Sequence, residues 1–215
     1  MSEHLDQNLT DCSKADLWMP YFEDAEPHLE AQWEKIIWPQ ISEFDFSTTL
    51  ELAPGGGRNT AKLLEIAQQL HIVDFNQYCI DACQKRFADY DGSCELHYHV
   101  NDGMKLPMIS DGSVSAAYSW DSAVHMDRLV VQSYIHEFAR ILAPGGQAFL
   151  HHSNYGTICS RAEIKENPHW RSNMSAALCV EYAAECGLEI ARQSMLEWAK
   201  GYEGLDCLSI LRKPS

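Results

Sequence analysis

The residues best suited to chemistry in this chain of 215 residues come in short clusters, each following an apolar run. The first is the loop Glu51-Leu52-Ala53-Pro54-Gly55-Gly56-Gly57. Glycines let backbone N–H groups approach a ligand closely and permit positive φ angles. Gly55 and Gly57 stand where a dinucleotide loop of the form G-x-G-x-x-G has its first two glycines, but Thr60 holds the third place. A plain strand-to-helix turn does not need three consecutive glycines. Asp74 follows the next apolar run, a position from which a carboxylate can accept hydrogen bonds from both ribose hydroxyls. It can equally cap or begin the helix that follows, which Asn76 opens. In Asn101-Asp102-Gly103, Asp102 can accept from an adenine amino group while the Gly103 N–H serves a ring nitrogen. Read alone, Asp-Gly is a turn.

A second group of clusters suits the other reactant. His125 ends Ser119-Trp120-Asp121-Ser122-Ala123-Val124-His125 and is a general-base candidate, because an ordinary imidazole titrates near working pH; the alternative is a packing or capping residue. In His151-His152-Ser153-Asn154-Tyr155, successive strand residues point to opposite faces, so one histidine is expected in the cleft, and His152 is taken as a catalytic candidate. Paired histidines also raise a metal site with Asp121 or His125, but nothing fixes a third ligand, so no metal is expected. His97 and His99 are read as surface or core histidines. Arg171, beside Trp170 in the stretch Asn167–Arg171, can pair with an anionic group on a substrate. Trp18, Tyr21, Phe22 and Trp33 either form an aromatic lid or pack in the core.

The elements that must position these groups alternate. Residues 15–41 read as one or two helices with a break at Pro27. Strands are predicted at 48–52, 71–74, 95–100, 114–120 and 147–152, with helices from the glycine loop through 70, at 76–88 and at 128–142. A further helix at 172–186 precedes two strands, 188–198 and 206–212, that have no helix between them and pair as a hairpin. Alternation of this kind implies a parallel α/β sheet covered on both faces. Residues 1–45 are expected as an N-terminal helical cap and 46–215 as the main domain.

Composition narrows the partners. With 31 acidic and 16 basic residues the net charge is −15, which disfavours phosphate backbones and anionic membranes. No apolar run is long enough for a membrane span, and the amino terminus lacks the pattern of a signal peptide. The eight cysteines include no CxxC pair, so reduced thiols in a cytoplasmic protein are expected.

Taken together, the glycine loop with Glu51 and Ala53, the acid after strand two, Asp102-Gly103 after strand three and Leu142-Ala143-Pro144-Gly145-Gly146 before strand five resemble the class I, Rossmann-like S-adenosylmethionine-dependent methyltransferases. The resemblance spans most of residues 48–152 and extends to the terminal strand pair. It implies a doubly wound, mostly parallel sheet of seven strands in the order 3-2-1-4-5-7-6, the last strand antiparallel. It also implies that Glu51, Ala53, Gly55 and Gly57 flank the methionine part of the cofactor, that Asp74 and Asn76 serve the ribose, and that Asp102 and Gly103 serve the adenine. Ser119, Trp120 and Asp121 would then line the sulfonium end, with Asp121, His125 and His152 as catalytic candidates and Tyr155, Trp170, Arg171, Trp18 and Tyr21 on the acceptor side. Ala53 departs from the family, which usually has its first glycine there. Ser119–Met126 and His151–Tyr155 also look like small-molecule methyltransferases of the sugar or glycan type. The expected activity is methyl transfer to an oxygen or nitrogen of a small polar acceptor. The competing readings are a methyltransferase acting on a protein, a nicotinamide-dependent oxidoreductase, disfavoured by Thr60 and the closing hairpin, and a non-catalytic cofactor-binding scaffold.

Overall fold

The computed structural model describes residues 19–159 and 171–215. Seven strands form one sheet: β1 (Thr48–Leu52), β2 (Gln69–Asp74), β3 (Glu95–Val100), β4 (Val114–Ser119), β5 (Leu142–Ser153), β6 (Glu189–Leu196) and β7 (Asp206–Arg212). Their order is β3-β2-β1-β4-β5-β7-β6. The first five run parallel, and β7 is antiparallel to both β5 and β6. The short β1 is buried from Thr49 to Leu52, as a central strand with both faces covered must be. β6 and β7 are joined without a crossover helix, which lets them pair antiparallel, and β7 lies between β5 and β6.

Between residues 19 and 41 the chain is helical almost throughout. It comprises α1 (Met19–Ala25), α2 (Leu29–Gln32) and α3 (Trp38–Ile41), joined by a tight turn containing Pro27 and by a wide π-type turn at Trp33–Ile37. The other helices are α4 (Thr60–Leu63), α5 (Gln77–Arg86), α6 (Arg128–Ile141), α7 (Tyr155–Ile158) and α8 (Ala176–Glu185). Three of them start on side-chain caps: Asn76 accepts from the Tyr78 N–H, Asp127 from Leu129 and Ser175 from Leu178. Such caps satisfy backbone donors that the first turn leaves unpaired.

Each face of the sheet has its own core. On one, Leu50, Val73 and Leu150 pack with Phe138 and Ile141 of α6 and Tyr182 of α8. On the other, Leu70, Ile72 and Phe149 meet Leu63, Ile80 and the N-terminal helical run through Trp33, Ile37 and Ile41. Ile37 and Ile41 are fully buried, and the Trp33 ring lies 6.4 Å from that of Tyr118. Trp33 is therefore a core residue, which separates it from Tyr21 and Phe22 in the expected lid.

Three boundaries differ most from expectation. The helix after the glycine loop ends at Leu63 rather than running through residue 70: the Glu65 and Ile66 N–H groups tighten onto Lys62 and Leu63, three residues back, and Gln68 and Gln69 hydrogen-bond back to Phe46 and Ser47. The helix expected from 172 begins at Ala176, on its Ser175 cap. β5 starts at Leu142 rather than at 147; Leu142 pairs with Val114 and a register shift follows. Gly146 sits at that irregularity, where a Cβ would come 2.9 Å from the Ala143 carbonyl oxygen and 3.1 Å from that of Ser115. Backbone cannot yield as a side-chain tip can. Gly146→Ala is therefore expected to lower stability by roughly 1–3 kcal/mol. Urea unfolding should show a lower midpoint with an unchanged slope.

Candidate functional site

The strands that carry the sequence clusters all end at the same edge, and their following loops enclose one cleft. It is lined by Ala53, Gly55, Asp74, Phe75, Asn76, Cys79, Gly103, Asp121, Ser122, His125 and Tyr134, with Tyr21 and Phe22 of α1 on the near side. This is the carboxyl edge beside β1 and β4, where strand order reverses and ligands of open α/β sheets bind.

The glycine loop turns through the left-handed region at Ala53 (φ 58°), Gly55 (58°) and Gly57 (80°). At Gly55 a Cβ would lie 2.8 Å from the Phe22 ring, so the loop and α1 touch only because nothing projects there. Ala53 is held in a conformation that costs a non-glycine residue roughly 1–3 kcal/mol. Its N–H bonds to the Val73 carbonyl at 2.8 Å, and Ser122 Oγ donates to its carbonyl at 2.9 Å. The residue that departs from the family is thus clamped from both neighbouring strands.

Two carboxylates lie beneath this loop. Glu51 is 2% exposed and does not line the cleft; Thr60 Oγ1 donates to its Oε2 at 2.5 Å. Thr60, which argued against a dinucleotide loop, is the residue that holds Glu51. Burial pushes the Glu51 carboxyl up to about 7, the Thr60 bond opposing this and the Asp74 charge adding to it. Asp74 does line the cleft, and accepts from the Asn76 N–H at 2.9 Å. Burial raises it to about 6 despite hydrogen bonds from the Asn76, Phe75 and Gly55 backbone and the Cys79 thiol. Asn76 lines the cleft and caps α5 at once.

After β3, Gly103 reaches the cleft and Asp102 does not. The Asp102 Oδ1 instead accepts from the Met104 and Lys105 N–H groups, at 2.8 and 2.7 Å, and the residue is exposed. The Gly103 N–H bonds to Asn101 Oδ1 at 3.2 Å, and Asn101 also donates to the Tyr134 hydroxyl. The wall at this end is apolar instead: Met126, Val130 and Tyr134, spaced by four along the start of α6, with Phe75. Periodicity could have revealed that stripe, since Val130 and Tyr134 fall one turn apart.

At the opposite end Asp121 has φ 57° and lies 8% exposed in the cleft wall. The Tyr21 hydroxyl donates to its Oδ2, and Arg58 Nη2 lies 3.7 Å from the same oxygen. Burial and the Asp121 carboxylate push the Tyr21 hydroxyl well above its ordinary value, so it remains a donor. Arg58 is buried and also donates to the Ala25 carbonyl and Gln32 Oε1. It binds α1 and α2 to the glycine loop, a role the sequence reading missed although a lone cation beside that loop in an acidic chain was the available signal. His125 lines the cleft next to Ser122.

Several expected residues stand elsewhere. Ser119 and Trp120 are buried, Trp120 in the wall of a smaller adjoining cavity with Arg58 and Asp121. His152 points away from the cleft: it is fully buried with Nε2 2.8 Å from Ser209 Oγ and Nδ1 2.8 Å from the Ser153 carbonyl, and burial lowers it to about 4. A general base is not expected of a ring in that setting, and this corrects its catalytic assignment. Arg171 does not await an anion; its Nε and Nη2 bind Asp206 at 2.7 and 2.8 Å in the interior. Tyr155 is buried against Leu205 and does not line the cleft. Trp18 and Trp170 lie outside the described residues. Among the described residues no group of three or more His, Cys, Asp or Glu is arranged to hold a metal ion, and no helix is long and apolar enough to cross a membrane.

Residues 49–146 match the family described as a methyltransferase domain. Among curated proteins no sequence relative matches. The fold is similar to a S-adenosylmethionine-dependent methyltransferase from Clostridium acetobutylicum, at 12% identity over 93% of this chain and 100% of that one, with a TM-score of 0.69. It is also similar to the structure of a complex between the Haloferax volcanii Trm112 methyltransferase activator and a methyltransferase, at 17% identity over 94% and 99% of the chains and a TM-score of 0.69. A cyclase, SpnF, shares the fold at 16% identity over 88% and 81% of the chains, with a TM-score of 0.67. The chain thus shares its fold with methyltransferases, the Clostridium acetobutylicum protein among them being S-adenosylmethionine-dependent. The cleft has features that suit S-adenosylmethionine: a buried carboxylate, Asp74, lines it together with the apolar Phe75, Met126 and Val130, and Gly55 leaves the loop without a side chain.

Ribose hydroxyls donate to the charged form of a carboxylate, so a ligand whose ribose sat on Asp74 would favour its ionised form. Since the free group titrates near 6, affinity should be constant above that pH and weaken towards about tenfold per unit below it. Calorimetry with S-adenosylhomocysteine between pH 5 and 8 checks this, and Asp74→Asn should both weaken binding and flatten the profile. A flat profile for the unmodified protein would contradict the role of Asp74.

Proposed function

We propose that this protein transfers a methyl group from S-adenosylmethionine to an oxygen or nitrogen of a small polar acceptor, with sugars or glycan precursors the first acceptors to try. The observation that carries the reading is that His125, Asp121 and Tyr21 open onto the same cleft as Asp74 and the glycine loop. A cofactor on the loop side would therefore present its reactive end to groups able to hold and deprotonate an acceptor.

When bound, the cofactor supplies an electrophilic methyl carbon on a sulfonium. Methyl transfer is a direct displacement, so the protein's task is to hold the acceptor in line. Tyr21 and Asp121 orient the acceptor's polar groups, and the α1 wall formed by Tyr21 and Phe22 excludes water from the loop. His125 accepts the proton that a hydroxyl acceptor loses as its oxygen bonds to carbon; an amine acceptor needs only to arrive neutral. In this reading residues 1–45 act as a cap that contributes Tyr21 and Phe22, and residues 46–215 supply the remaining groups.

His125→Ala is expected to cut turnover by about a hundredfold or more with a hydroxyl acceptor. It should leave S-adenosylhomocysteine affinity within about threefold, since His125 adjoins the cofactor without carrying its ribose. Transfer of labelled methyl to a panel of polar acceptors, followed with the variant on any acceptor found, checks both. Unchanged turnover would remove His125 as the base.

A further inference from the structure

Asp121, two residues beyond β4, is one of two side-chain-bearing residues of the cleft at positive φ, here 57°. Left-handed backbone of this kind persists only where its surroundings over-determine it. The determinant is a buried polar line. The Asp121 N–H donates to His151 Nδ1 at 3.1 Å, an arrangement that calls for a bare Nδ1 and a proton on Nε2. Nε2 then donates to Asp206 Oδ2 at 3.2 Å, and Asp206 accepts from Arg171 Nε at 2.7 Å and Nη2 at 2.8 Å. His151 and Asp206 are fully buried, and Arg171 is 3% exposed. Burial alone would raise the Asp206 carboxyl; the His151 and Arg171 bonds more than offset that and hold it below the ordinary range. The imidazole is fixed sideways too, its centroid 4.4 Å from the Trp120 ring and 5.3 Å from that of Trp198.

We infer that His151 is a positioning residue of the methyl-transfer site. Locked in one tautomer by Asp206 and Arg171, it holds Asp121 in the conformation that presents the carboxylate to Tyr21 and to the cleft. Each link is fixed by the next: Arg171 orients Asp206, Asp206 sets which nitrogen of His151 is bare, and the bare nitrogen holds the Asp121 amide. His151 itself touches neither reactant, and the proposal rests on the reading of the cleft as the place of methyl transfer.

The test uses the full chain. Nitrogen NMR of labelled histidine reports the His151 tautomer, and calorimetry measures S-adenosylhomocysteine binding to the unmodified protein, His151→Leu and His151→Asn. The asparagine carbonyl can replace Nδ1 as acceptor for the Asp121 amide; leucine cannot. A bare Nδ1 is expected, with affinity about tenfold weaker for leucine, as loss of one buried bond of about 1.4 kcal/mol implies. Asparagine should return it to within about threefold. A protonated Nδ1, two variants equal to the unmodified protein, or two variants equally impaired would each overturn the proposal. Should the leucine variant not fold, the tautomer and the asparagine variant decide alone, tenfold loss in the latter counting against it. An unmodified protein that binds no S-adenosylhomocysteine would sink the cofactor assignment instead, and the tautomer would then decide whether His151 holds Asp121.

Discussion

Ser122 Oγ donates to the Ala53 carbonyl at 2.9 Å, and the whole cleft depends on what that bond joins. Ala53 and Asp121 follow β1 and β4, the two strands between which the sheet's order reverses, and each turns through left-handed backbone. A strand that continued straight would carry its loop over the sheet edge and fill the space. Turning both loops apart and tying them by one hydroxyl leaves a gap with the glycine loop on one wall and Asp121 on the other. The strain in two non-glycine residues is held by neighbours on both sides: Val73 and Ser122 for Ala53, His151 for Asp121.

The same edge concentrates charge that folding alone would not choose. Glu51 and Asp74 are buried near each other, and burial raises both carboxyls, to about 7 and about 6. A raised carboxyl contributes stability below its unfolded pKa and loses it as pH rises through the folded value, so near neutrality these two acids weaken the protein without ligand. Hydroxyl donors on a ligand would reverse that for Asp74. Arg86 supplies positive charge to Glu51 and Arg58 to Asp121, and both also fasten the N-terminal helices: Arg58 through the Ala25 carbonyl, Arg86 through Glu26. Attachment of the α1 wall and electrostatics of the glycine loop are therefore one arrangement.

Much of the fold was legible because its signals are local. β1, β3 and β7 have the bounds that alternation and flanking turns predict, and the unlinked β6–β7 pair announced the antiparallel insertion that completes the order. Clusters placed after strands by their glycines and acids, Gly55, Asp74, Asn76, Gly103 and Asp121, did meet in one cleft. Side-chain direction was not legible. His151 and His152 alternate across β5 as a strand requires, but which of them approaches the cleft depends on register with β7, where His151 pairs with Leu208 and Asp206 stands at the strand's start. Arg171 looked available because its partner lies 35 residues further on. Asp102 looked like a ligand group because a side chain folded onto its own turn leaves no mark in the sequence.

What decides the account is which nucleotide-like molecule the cleft takes. Thermal unfolding with S-adenosylhomocysteine or NAD added at equal concentrations separates them, since a ligand bound only by the native state stabilises by about 2.7 kcal/mol at a hundred times its dissociation constant. S-adenosylhomocysteine should raise the melting temperature in a concentration-dependent way, and NAD should not. A shift with NAD and none with S-adenosylhomocysteine would contradict it.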